Sequence, residues 1–181
     1  MEKENWIEQI NKTTNDFKKT FESLTDDQMN WKPNKQTWSI AQNIDHLIVI
    51  NKSYFPILNS IRQGNYKIPF IGKFNFITNF LGKSLLKAVQ PSTKKKTKTF
   101  PIWEPTQNTE LTDILNEFEK HQEDLKLQIE NSEDLLKKET VVSSPANKNI
   151  VYKLETAFDI IVTHEQRHLE QAKEVLKIMP K

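Results

Sequence analysis

Apolar residues recur with helical spacing from the start of the chain. Trp6, Ile10, Phe17, Phe21 and Leu24 fall on one face of a 3.6-residue repeat, which predicts a first helix from about Asn5 to Leu24. The stretch from Trp31-Lys32-Pro33 to Thr37 breaks the repeat and reads as a loop. Ser39-Ile40-Ala41-Gln42 then has the form of a capping box, so a second helix starts there. Its apolar positions Ile40, Ile44, Leu47, Ile48, Tyr54, Leu58 and Ile61 carry it to Gly64, a residue suited to a C-terminal stop.

Residues 65–108 are less regular. Phe70, Phe74, Ile77, Phe80, Leu81 and Leu85 predict a short amphipathic helix, followed by the basic run Lys94-Lys95-Lys96-Thr97-Lys98 and a loop containing Pro101 and Pro105. The expectation is a crossover or lid whose helix packs across the open side of a bundle. Membrane-surface contact is the alternative use of a basic amphipathic segment, and the lysine run reads as a solvated loop. Leu111, Ile114, Leu115, Phe118, Leu125 and Ile129 mark a third long helix ending between Asn131 and Leu136. After a turn through Ser143-Ser144-Pro145, a last helix is predicted from about Ile150 to Ile178, with Leu154, Phe158, Ile161, Leu169, Val175 and Leu176 facing inward. No alternating strand is evident. Four amphipathic helices with one long connection between the second and third predict an all-α four-helix bundle, a single domain spanning residues 1–181.

Composition narrows the chemistry. The 181 residues suffice for one core, and only 3 glycines argue against a many-stranded β protein. A net charge of +2 gives no field suited to nucleic acid, so no nucleic-acid partner is expected. The opening MEKENWIEQI lacks the apolar run of a signal peptide, and no apolar stretch is long enough to span a bilayer. A cytoplasmic protein without a membrane partner is the expectation. Cysteine is absent, so any metal must use His, Asp or Glu.

The candidate chemistry lies in THEQRHLEQ, residues 163–171. His164 and His168 are four apart, so on a helix they share a face and two imidazoles can converge on one ion. A third ligand must come from elsewhere. His46 sits among Ile44, Leu47 and Ile50 in the second helix and can meet the pair across an antiparallel bundle, which makes His46, His164 and His168 a candidate three-histidine metal site with an open fourth position. His121, on the inward stripe of the third helix, reads as a cavity-lining or hydrogen-bonded core residue.

His-Glu-x-x-His also invites a metalloprotease reading, with Glu165 as general base. Only 13 residues follow His168, and Gln171 and Glu174 stand where the extended zinc-protease pattern needs Gly and His. That reading is set aside. Glu165 is then expected as a charged surface flank, or at most a group behind the ligands, and Gln42, Asp45 and Gln171 are further candidates for orienting the imidazoles.

The same residues carry a family resemblance. Trp38-Ser39-Ile40 with Gln42 and Asp45-His46-Leu47 resembles the second-helix motif of the DinB-like superfamily of metal-binding four-helix bundles. Thr163-His164-Glu165-Gln166-Arg167-His168-Leu169-Glu170-Gln171 resembles its final-helix motif, and the Leu24-Thr25 and Trp31-Lys32-Pro33 phrases fit as well. The likeness in layout covers roughly residues 5–178. It implies a divalent metal, often zinc or nickel, held by His46, His164 and His168, and a homodimer. It also implies an S-transferase or isomerase using a low-molecular-weight thiol such as bacillithiol or mycothiol. A thiol-dependent transferase acting on small electrophiles is the leading expectation, with Trp38, Tyr54, His121 and aromatics of residues 70–85 lining the site. A metal-dependent small-molecule hydrolase and a non-catalytic metal- or ligand-binding stress protein are its rivals.

Overall fold

In the computed structural model, residues 3–93, 99–106 and 110–180 are described; the lysine run 94–98 lies outside them. The first helix, α1 (Lys3–Phe21), buries Trp6, Ile10, Thr13, Phe17 and Phe21, the stripe its sequence predicts. A one-turn helix, α2 (Asp26–Asn30), follows behind a Thr25–Gln28 capping box. The predicted Ser39–Gln42 box is formed and starts α3 (Ile40–Lys52). The helix expected to continue to Gly64 is interrupted at Ser53–Tyr54 and resumes as α4 (Phe55–Arg62). Pro56 accounts for the break, because it has no N–H to donate and its ring crowds the carbonyl four residues earlier. Gly64 does end α4, with φ of 72°.

A single 3-10 turn (Phe70–Lys73) leads into α5 (Asn75–Ala88), and a second (Pro101–Trp103) precedes α6 (Ile114–Glu130). The short α7 (Glu133–Lys137) follows. The next segment corrects the sequence reading: β1 (Val141–Ser144) and β2 (Asn147–Lys153) pair antiparallel, Val142 opposite Tyr152, and α8 (Leu154–Ile178) begins only at Leu154 rather than at Ile150. Period-based reading passes over such a hairpin because its strands are short and Val151 and Tyr152 are both buried, which erases the alternation.

Helices α1 and α3 each pack against both α6 and α8. Two apolar clusters fill the interior. One holds Trp6 and Ile10 of α1, Leu58 of α4, Leu125 and Ile129 of α6 and Ala157 to Val162 of α8. The other holds Phe17 and Phe21, Ile40 to Ile48, Ile114 and Phe118, and Leu169 to Val175. From the order in which each helix passes through them, α1 and α8 run one way and α3 and α6 the other. Since α3 and α6 are parallel, the chain must travel the length of the bundle between them, which is why this connection is long.

Between the two clusters each long helix contributes buried polar residues: Thr13 from α1, Asn51 from α3, His121 and Gln122 from α6, and Thr163, Glu165 and His168 from α8. The bundle therefore has apolar ends and a polar middle. Buried polar groups cost free energy unless they are paired, so a polar layer of this kind points to function rather than stability.

Helix α5 lies on β2 and α8. Its contact face is Thr78 and Gly82 with Leu85 and Leu86, and a Cβ on Gly82 would come within 2.9 Å of the Thr156 methyl. The sequence reading placed its phenylalanines against the bundle. They face outward instead: Phe76 and Phe80 are 73% and 69% exposed.

Candidate metal centre

The Ser39–Gln42 box sets the start of α3 and so the direction in which His46, nearly two turns later, points. His164 and His168 leave α8 on one face, as the four-residue spacing requires, and their ring centroids lie 4.4 Å apart. The antiparallel course of α3 brings His46 to them, with centroids 5.2 Å from His164 and 4.7 Å from His168. One ligand-competent atom from each of the three lies within 4.8 Å of the others, and among the described residues this is the group that could hold a metal ion. His46 and His168 are buried and His164 is half-buried.

His46 and His168 are each turned by what the far nitrogen meets, while His164 Nδ1 has no hydrogen-bond partner among the described residues. His46 Nδ1 faces the Trp103 carbonyl at 2.5 Å, and His168 Nδ1 faces Asn43 Oδ1 at 2.8 Å. Both partners are acceptors, so both Nδ1 atoms carry the proton and each Nε2 keeps its lone pair. The Nε2 atoms of His164 and His168 stand 3.1 Å apart. A tetrahedral zinc with Zn–N bonds of ~2.0–2.1 Å separates its ligands by roughly 3.4 Å, so this pair suits one ion with little movement. Burial holds the His164 and His168 imidazoles well below the ordinary histidine range; His46 and Arg167 push both the same way, and His164 adds to the lowering of His168. His46 is lowered too, chiefly by burial. Three rings kept neutral are three lone-pair donors at neutral pH, and the donor set fits a borderline-soft divalent metal.

Trp38, immediately before the cap, stacks on His168 at 5.9 Å and lies 4.8 Å from His46. The end of the crossover forms the adjoining wall. Trp103 donates its indole N–H to Ser53 Oγ at 3.0 Å, and the backbone N–H of Thr106 donates to Asp45 Oδ2 at 2.7 Å. Gln42 Nε2 reaches the Thr106 carbonyl at 3.4 Å. Gln42 and Asp45 thus hold the crossover rather than the imidazoles, and Gln171 is exposed. The groups that do orient the imidazoles, Asn43 and the Trp103 carbonyl, were not singled out by sequence. Asn43 stands three residues before His46 inside α3, with nothing local to mark it, and a backbone carbonyl 57 residues from its partner leaves no side-chain signal.

Two other residues sit elsewhere than the sequence reading put them, and a third, His121, keeps its inward place in the core. Glu165 is not a surface flank: it is fully buried and accepts from Asn51 Nδ2 at 2.8 Å and Gln122 Nε2 at 2.9 Å. Burial raises its carboxyl to about 7 against the two hydrogen bonds that lower it. His121 is buried against Phe55, with ring centroids 5.9 Å apart, and lies outside the triad. Neither of its nitrogens has a protein hydrogen-bond partner among the described residues, and burial takes it down to about 4. The Tyr54 hydroxyl pairs with that of Tyr152 at 2.7 Å instead of lining the site.

The family model of the DinB superfamily matches residues 9–172, a span that contains all three histidines. No curated protein and no solved structure matches the chain.

Proposed function

The chain belongs to the DinB superfamily, whose members often bind metals, and from that premise we propose a metal-dependent enzyme in which His46, His164 and His168 hold one zinc or nickel ion. We propose further that its reaction is transfer of a low-molecular-weight thiol to a small electrophile: the sulfur bonds to the electrophilic carbon and the leaving group departs with its electron pair. The observation that carries the reading is a set of three neutral imidazoles with no protein carboxylate or thiolate among them, which leaves a coordination position for an exogenous ligand.

When bound, the ion supplies Lewis-acid chemistry that keeps a coordinated thiol in its thiolate form at neutral pH. The chain does the rest. Asn43 and the Trp103 carbonyl hold His168 and His46 in the tautomer that presents Nε2. Trp38 and Trp103 shield the centre from bulk water, and the half-buried His164 marks its open side.

Thiol transfer is favoured over water activation by the state of the nearby carboxylates. Hydrolysis benefits from a general base close to the nucleophile. Asp45 is engaged by the Thr106 backbone, and Glu165 is committed to Asn51 and Gln122 in the core. An attacking thiolate needs no such base.

Elemental analysis of the purified protein and of His164→Ala is the first test: about one ion per chain is expected for the first, and unchanged content in the variant would remove the site. Metal-loaded protein is then incubated with a thiol and an alkylating electrophile, and in parallel with ester and amide panels. Ester or amide turnover without thiol replaces the transferase reading with a hydrolase. Small-ligand retention without turnover makes the protein a binding module.

A further inference from the structure

Among the described residues, the large apolar side chains left exposed are concentrated in one segment: all but Leu127 and Ile178 lie between residues 68 and 102. Phe70 and Phe76 are each 73% exposed, Phe80 69% and Phe74 40%. Phe70, Phe74 and Phe76 touch in series, with centroids 5.4 Å and then 6.2 Å apart, so they form one aromatic cluster. On α5 the positions Phe76, Phe80, Lys83 and Lys87 are separated by four, three and four residues. They make one outer stripe, opposite the Thr78–Gly82 face that seats the helix on β2 and α8. The stripe is aromatic in its first half and cationic in its second.

The segment that carries it has charge of one sign. No Asp or Glu occurs between Asp45 and Glu104, so all 24 acidic residues of the chain lie elsewhere. Lys67, Lys73, Lys83 and Lys87 are exposed along the segment, and Lys73 Nζ sits 5.7 Å from the centre of the Phe70 ring. Exposed apolar side chains interspersed with lysines, on a segment without carboxylates, are complementary to a surface that is apolar beneath and anionic above.

We propose that this face docks the protein on anionic lipid headgroups, with Phe70, Phe76 and Phe80 entering the interface and Lys73, Lys83 and Lys87 lying among the phosphates. The attachment is peripheral, since no helix among the described residues is long and apolar enough to cross a membrane. A second copy of the chain suits the face less well. A two-fold contact would bring two basic segments together with no acidic residue of either to offset the repulsion. The reading of this helix as packing its phenylalanines across the bundle does not hold, and their exposure favours the other use of the segment, contact with a membrane surface.

The test uses the full-length protein with vesicles of phosphatidylcholine alone or with about a third phosphatidylglycerol, read by flotation at low and high salt. Binding is expected to the anionic vesicles only, and to weaken about tenfold or more as salt screens the lysines. Phe76→Ser with Phe80→Ser, and separately Lys83→Glu with Lys87→Glu, is expected to weaken binding about a hundredfold, with thermal unfolding and metal content unchanged. Absence of vesicle binding, or equal binding to neutral and anionic vesicles, overturns the proposal. So does a dimer, seen by sedimentation without lipid, that the phenylalanine variant dissociates while the wild type ignores vesicles: that result assigns the face to self-association.

Discussion

Asn43 shows how much of the centre depends on residues that never touch a ligand ion. It accepts from His168 Nδ1 and donates to the Ser39 carbonyl at 2.8 Å, tying the imidazole to the first turn of α3. Asn43→Ala is expected to weaken metal affinity by about 10–100-fold, whereas Asn43→Asp keeps an acceptor and most of the affinity. Competition against a chromogenic chelator measures both. Glu165 invites a different experiment. Its folded carboxyl is raised to about 7 from an ordinary value of 4.5, so the folded state holds the proton more tightly and this group's contribution to stability is lost as pH rises from 4.5 through about 7. Glu165→Gln removes that loss. Gln122 Oε1, unpaired among the described residues, can accept from the new amide after a flip. Urea denaturation from pH 4 to 8 is expected to show the variant gaining on the wild type across that interval and levelling off above it. A constant difference would mean that Glu165 does not titrate there.

The elements differ in how firmly they are seated. Helices α1, α3, α6 and α8 share a continuous interior, while α5 lies against the bundle along one short face. Gly82 is the closest approach. A larger side chain there meets the Thr156 methyl and Tyr152 Cβ, both on stiff, buried or packed elements that have little room to retreat. Gly82→Leu is therefore expected to lower stability by about 1–3 kcal/mol and to loosen α5 before the bundle itself. Hydrogen exchange resolved along the chain reads this directly: faster exchange in residues 75–88 with protection kept in α1 and α6 is the expected pattern. Arg167 bears on the same seating, since it leaves α8 between His164 and His168 and donates to the Ala88 carbonyl at 2.9 Å, closing the last turn of α5. The seating of α5 and the metal centre share that residue's helix.

For the molecule as a whole, metal, protons and stability are linked. A ligand that binds only the folded chain stabilises it by mass action, so removing the ion with a chelator at pH 7.5 is expected to lower Tm. The three imidazoles have folded pKa values below their unfolded ones because burial disfavours the charged ring. The metal-free folded state therefore binds fewer protons than the unfolded chain, and its stability falls as pH drops below the ordinary imidazole value of about 6.5. Lowered folded values also mean that protons compete weakly for the site. The Tm difference between metal-loaded and metal-free protein is expected to persist below pH 6.5 and to close only at more acid pH. Differential scanning calorimetry at several pH values checks it, and a gap already closed at pH 6.5 would place the ion on ordinary, solvated histidines.

What the sequence determined by itself is local. Apolar spacing and the Ser39–Gln42 cap mark helix starts and faces, because a 3.6-residue repeat and a capping box act within a few residues. His164 and His168 are paired by the helix that carries them, and the family pattern adds His46 to the pair. Tertiary structure alone decided the rest. Whether Glu165 lies in water or in the core depends on which neighbouring helix covers that side of α8, and the neighbours prove to be Asn51 of α3 and Gln122 of α6. The same holds for the outward phenylalanines of α5, whose seating is set by where a glycine and a threonine let the backbone approach β2 and α8. The β1–β2 pairing and the hold of the Trp103 carbonyl on His46 likewise join segments by backbone groups that every residue possesses, so no side-chain pattern announces them.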